Sequence, residues 1–209
     1  ARTMGCLGIT CRYYDPLLPE PQAVALNAVN AVRAETLEDV MVLPVVTCHA
    51  PLTRDGPYPS FRMLGIDRLR LLPESAVLIN AGRGGVMANE DLHVWLNERP
   101  DVRLVLDVWP GEPALDLTLL DRCAIATPHI AGYSQEGKVQ GLLQVVQQMS
   151  ELLNLPDPEL RVDDLLGPPD ALYLKDDTRN SQYAALMKAY DVAEDDRRMR
   201  TAMARAAPD

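Results

Sequence analysis

Three segments set far apart in the chain each end an apolar run with one side chain able to do chemistry. VLINAGRGG (residues 77–85) supplies Arg83, VLDVWPGEP (105–113) supplies Glu112, and ATPHIAGY (126–133) supplies His129. A guanidinium grips a carboxylate through two parallel hydrogen bonds. An imidazole takes up a hydroxyl proton near neutral pH. A carboxylate beside that imidazole raises its pKa and fixes its orientation. Together the three groups suit redox work on a hydroxy acid.

Side chains so distant in sequence need a scaffold that returns them to one place. The first two segments open as β-branched runs and break into Gly/Pro loops; the third is a short strand end before such a loop. A parallel sheet delivers side chains to a crevice at its carboxyl edge in this way. Residues 7–14 read as a strand ended by Asp15-Pro16, and 45–48 as a strand closed by His49-Ala50-Pro51. Residues 76–80, 103–108 and 123–127 read as three more, while 23–34 fit no single element type. Thr36-Leu37-Glu38-Asp39 looks like the capped start of a short helix, and 65–71 form another before Pro73. Asn89 is expected to cap a helix over 90–98, with Leu92, Trp95 and Leu96 inward and Glu90 and Asp91 at its positive end. His93 on that helix is expected to be exposed.

The clearest helix covers 134–154. Val139, Leu142, Val146, Met149 and Leu153 fall at helical spacing as its core face, and Pro156 stops it. Strands alternating with helices give an α/β fold with a parallel sheet. After Asn154 the chain turns proline-rich and acidic, and 182–206 read as a charged helical segment. The boundary is therefore placed near 155: a domain over 1–154, then a linker and a further partial domain over 155–209.

Composition removes several function classes. The 209 residues are 47% hydrophobic, enough for one full core. The formal charge of −10 argues against a nucleic-acid surface, whose affinity comes from Lys and Arg on phosphates. No apolar stretch reaches the roughly 18 residues of a membrane span, and no signal peptide is visible. Cys6, Cys11, Cys48 and Cys123 form neither a CxxC pair nor a metal-like cluster, so they read as reduced thiols of a cytoplasmic protein that holds no metal.

Four strings then carry a likeness: HAPLTRDGPY, LDVWPGEP, TPHIAGYSQEGK and, in the tail, YDVAEDDRRMR. Residues 7–154 resemble the nucleotide-binding domain of the D-isomer-specific 2-hydroxyacid dehydrogenases, a Rossmann-like doubly wound parallel sheet. The tail string resembles part of a C-terminal dimerisation domain found in one branch of that family. This branch acts on a small phosphorylated hydroxy acid in bacterial vitamin B6 synthesis. The resemblance implies NAD as cofactor and a homodimer. It implies that Arg83 binds the substrate carboxylate and borders the cofactor, that His129 exchanges the proton, and that Glu112 supports His129. Asp107 would contact the nicotinamide carboxamide. Asp15 would hold the adenosine ribose hydroxyls, which favours NAD over NADP. Ala50, Ala81, Gly82 and Gly132 would approach the cofactor through backbone, and Tyr133 would touch substrate.

Each residue also has a plainer reading. Arg83 could be a surface ion-pair partner, Glu112 a solvated loop acid, His129 a satisfied loop histidine and Asp15 a turn former before Pro16. Asp107 could be a cap, Tyr133 the lead-in to the long helix, and His49 a strand-end residue. One departure from the family matters. No G-x-G-x-x-G lies before Asp15, since Gly5 and Gly8 stand too close to an acid that the fingerprint places ~20 residues after its glycines. The likeness is thus to the middle of such an enzyme, and this polypeptide alone is expected to bind NAD weakly and turn over little. Phosphoglycerate- or glyoxylate-type enzymes are the alternative within the class, opposed by Tyr133 and the tail. A noncatalytic NAD-sensing or oligomerisation module is the alternative outside it, opposed by the intact Arg83, Glu112 and His129.

Overall fold

The short β-branched runs become strands whose carboxyl ends line up. In the computed structural model, which describes residues 4, 5, 7–167 and 179–206, β1 (Cys11–Tyr13) pairs in parallel with β2 (Ala31–Arg33). A separate four-stranded sheet has the order β3 (Val45–Cys48), β4 (Val77–Asn80), β5 (Arg103–Leu106), β6 (Ile125–Ala126), again all parallel. Cys48 stands opposite Asn80, Asn80 opposite Leu106, and Leu106 opposite Ala126. One row of four residues therefore ends the sheet, and the loops that follow leave it from the same edge.

Helices fill the crossovers, as parallel pairing requires. They are α1 (Glu20–Asn27), α2 (Glu38–Met41), α3 (Ile66–Leu69), α4 (Asn89–Glu98) and α5 (Leu117–Arg122), with a single 3₁₀ turn at Gly84–Val86. Thr36 and Asp39 exchange side-chain and backbone hydrogen bonds at the start of α2, the reciprocal cap its sequence announced. Leu78 and Leu104 of the sheet, Leu92 and Trp95 of α4 and Leu119 of α5 are fully buried and share one core.

Packing divides the chain into two units, Ala1–Pro128 with Asp191–Asp209, and His129–Tyr190. The second holds α6 (Gln135–Leu152), α7 (Val162–Leu166) and α8 (Arg179–Ala189). The first regains the tail through α9 (Val192–Ala206), whose Met199 is buried in the core described above. The divisions at 128/129 and 190/191 differ from the composition shift near 155. Composition reports where the chain becomes polar, whereas packing reports which apolar faces meet.

Several elements differ from the sequence reading in extent. The run 7–14 pairs only at Cys11–Tyr13, and 123–127 only at Ile125–Ala126. Residues 23–34 hold the end of α1 and all of β2. Ala88, extended at φ −105°, takes the N-cap position of α4 without a side-chain bond, and Asn89 is the first helical residue. His93 is half-buried rather than exposed, its Nε2 2.7 Å from Asp116 Oδ2. On α6, Leu143 and Ser150 are buried while Leu142, Met149 and Leu153 are exposed. Cys11, Cys48 and Cys123 are free thiols, and Cys6 lies outside the described residues, as does part of the proline-rich stretch. No described helix is long and apolar enough to cross a membrane.

Candidate active site

The row of strand ends carries most of the singled-out residues of the first unit. At the end of β4 the Ala81 amide donates to Cys48 O (3.0 Å), tying the β4 loop to the β3 end. Asn80, 1% exposed, then closes the turn: its Nδ2 donates to Arg83 O (3.1 Å) and its Oδ1 accepts from the Gly82 amide (3.2 Å). The glycines on either side of Arg83 are set by close approach. A Cβ on Gly82 would lie 2.8 Å from Ala50 O, and one on Gly84 would lie 2.1 Å from the Trp109 carbonyl. Arg83 is thus fastened to the β3 loop on one side and the β5 loop on the other. Its side chain is exposed, Nη1 donates to Gly82 O (2.8 Å), and no carboxylate among the described residues lies within ion-pair distance. A guanidinium so placed suits an incoming carboxylate.

Ala50 opens a loop that is itself pinned. Ser60, 5% exposed, accepts from the Thr53 amide (2.8 Å) and donates to Pro51 O, and Arg62 N donates to Gly85 O (2.9 Å). His49 folds back onto its own strand, with Nε2 2.9 Å from Thr47 Oγ1.

The end of β5 supplies a buried acid. Asp107, 5% exposed, continues the ladder through its amide to Asn80 O (2.9 Å). The Thr127 hydroxyl donates to Asp107 Oδ1 at 2.6 Å, and Trp109 Nε1 donates to Thr127 O at 3.0 Å. A short bond from a hydroxyl to a buried carboxylate fixes the latter's plane. Glu112 is exposed, and its Oε1 accepts from the Trp109 amide, so the carboxylate is held against the loop that bears it. Asp15 lies beyond the end of β1. Its Oδ1 accepts from the Leu17 amide (3.1 Å), the turn-forming role, and its carbonyl accepts from Arg33 Nη2 (3.1 Å).

His129, Gly132 and Tyr133 belong to the second unit. His129 is half-buried and adopts φ +59°, a left-handed conformation in which histidine is over-represented and which recurs at functional positions. Nothing described lies within 4 Å of a Cβ built on Gly132, so the space over this backbone is open. Tyr133 is 69% exposed with the Lys138 ammonium 4.0 Å from its ring centroid.

The first unit therefore brings together Ala50, Ala81, Gly82, Arg83, Asp107 and Glu112 on adjoining loops. Two residues of this cluster escaped the sequence reading. Asn80 was legible as an Asx-type turn former ahead of Ala-Gly-Arg-Gly. Thr127 had no local signal, because its partner Asp107 is twenty positions away.

Residues 1–131 match the family described as D-isomer specific 2-hydroxyacid dehydrogenase, NAD binding domain. The chain is 39% identical over 204 residues to the erythronate-4-phosphate dehydrogenase of Cellvibrio japonicus, covering 95% of this chain and 51% of that protein. It is 41% identical over 156 residues to that of Teredinibacter turnerae, covering 74% and 40%. The chain spans about half the length, or less, of these curated relatives. Among solved structures, D-mandelate dehydrogenase of Rhodotorula graminis matches with a TM-score of 0.61 at 20% identity, covering 75% of this chain and 45% of that one, a likeness of fold alone.

Proposed function

The chain belongs to the D-isomer specific 2-hydroxyacid dehydrogenase family through its NAD-binding domain, and we propose that it serves NAD-dependent oxidation of 4-phosphoerythronate. The C2 hydroxyl becomes a ketone, a step of pyridoxal phosphate synthesis. The observation that carries this reading is the strand-end row. An exposed arginine with no carboxylate partner among the described residues and a buried aspartate leave neighbouring strands of one parallel sheet from the same edge.

The residues present fit the nicotinamide half of NAD. Gly82 lets backbone pack against Ala50, Asp107 sets a buried carboxylate at the end of its strand for a carboxamide to donate to, and Gly132 leaves its backbone open. NAD bound there would supply a nicotinamide ring able to take the hydride from C2. Arg83 holds the substrate carboxylate in its planar fork and polarises the forming carbonyl. His129 takes the hydroxyl proton at an imidazole nitrogen, a contribution of about 10²–10⁴-fold for a positioned base. Glu112 supports the imidazolium so formed, and Tyr133 contacts substrate. Asp15 accepts the ribose hydroxyls. The enzyme acts as a cytoplasmic homodimer; the apolar side chains that α6 leaves exposed, Leu142, Val145, Met149 and Leu152, support a partner surface.

The test is a chimera in which this chain replaces the matched segment of the C. japonicus relative. With NAD, NADH should form on addition of 4-phosphoerythronate and at least about tenfold less efficiently with unphosphorylated erythronate. Equal rates for both would remove the phosphorylated substrate, and no NADH with either would remove the activity.

A further inference from the structure

We propose that α9 is a positioning element for the cofactor edge of the sheet: Asp196 and Arg200 hold β6 so that the Thr127 hydroxyl stays on the Asp107 carboxylate. The functional meaning of this device rests on Asp107 being a nicotinamide contact, as proposed above.

β6 is only two residues long and is the last strand of its sheet, so β5 satisfies one side of it alone. Seventy residues downstream, Asp196 Oδ1 accepts from the Ala126 amide at 2.7 Å. Arg200 donates through Nε to both oxygens of Asp196 at 3.0 Å. Its two other nitrogens donate to Leu120 O and Cys123 O, each at 2.9 Å, at the end of α5 just ahead of β6. Met199, between them in sequence, is 6% exposed in the core. One helix thus grips β6 and the segment leading into it.

Isolated surface ion pairs contribute little. This pair differs because its groups also satisfy three backbone positions between α5 and β6, and the Arg200 and Asp196 side chains are 30% and 17% exposed. Burial raises the pKa of Asp196, but the Arg200 hydrogen bond and the Ala126 amide outweigh it and hold the carboxyl below its usual range. The residue after Ala126 is Thr127, fixed by its amide to Leu106 O (2.9 Å), by its hydroxyl to Asp107 and by its carbonyl to the Trp109 indole. Ala126 and Thr127 share a peptide bond, so a shift at Ala126 strains the three bonds that set the hydroxyl on Asp107.

NMR on the 209-residue chain tests this through the amide exchange rate of Ala126 and the slowly exchanging hydroxyl proton of Thr127, with the Leu78 amide of β4 as control. In Asp196→Ala, exchange at Ala126 should quicken by about tenfold or more, and the Thr127 hydroxyl signal should vanish, with Leu78 unchanged. Asp196→Asn keeps an oxygen for the amide but weakens the pull of Arg200. Its exchange at Ala126 should be faster than wild type, which decides the matter even where Asp196→Ala fails to fold. Thr127→Ser should keep the hydroxyl signal, and Thr127→Val should lose it while Ala126 stays protected. Wild-type exchange at Ala126 in folded Asp196→Ala or Asp196→Asn overturns the proposal, as does equal loosening of Leu78. No readout involves NAD or substrate, so failure here leaves the dehydrogenase reading standing, and failure of that reading shows in the NADH assay.

Discussion

Arg83 owes its placement to its neighbours more than to itself. Gly82 and Gly84 look alike in the sequence, yet each answers a different loop, Ala50 on one side and Trp109 on the other. Gly132 meets nothing described within 4 Å. The two kinds of glycine should separate in urea unfolding. Gly84→Ala forces Cβ into the Trp109 backbone and should cost more than about 3 kcal/mol or prevent folding, whereas Gly132→Ala should stay within about 0.5 kcal/mol. Similar losses for both would contradict the close approach at Gly84. Sequence singled out Arg83, Glu112 and His129 as candidates because Gly and Pro beside a titratable group point to a loop with room for a ligand. It could not show that Glu112 is held by the Trp109 amide or that Thr127 binds Asp107, since such partnerships exist only after folding.

The elements were legible in kind and less so in extent. β4 and β5 announced themselves as apolar runs ending in loops. An apolar run does not say where ladder hydrogen bonds stop, so β1 and β6 are shorter than their runs. On α6 the pairs Leu142-Leu143, Val145-Val146 and Leu152-Leu153 support two stripes one residue apart, and the inward one passes through Leu143 and Ser150. Periodicity fixes a helix but not which of two adjacent stripes finds a partner. α5 offers a sharper check. Its N-cap Asp116 accepts from the Leu119 amide (3.0 Å) through one oxygen and meets His93 through the other. Burial pushes this carboxyl up, but His93 and the Leu119 amide outweigh it, so its folded pKa lies below the ordinary 3.8. The stabilisation is therefore complete above 3.8 and is lost as the pH falls from there through the folded value. Asp116→Ala should cost about 1 kcal/mol at neutral pH, and the gap from wild type should close in acid. A gap that does not change with pH would contradict this.

Across the whole chain, the family was readable from four strings and the parallel α/β plan from strands alternating with helices, and the part that escaped was where the tail docks. A charged amphipathic segment carries no mark of which surface it will cover, and the return of α9 to β6 joins residues seventy apart. The proposed chemistry has one most direct test, His129→Ala in the chimera, with turnover on 4-phosphoerythronate and NAD affinity measured side by side. Turnover should fall by about 10²-fold or more while NAD affinity changes little. Retained turnover, or equal losses in both, would contradict His129 as the group that takes the proton.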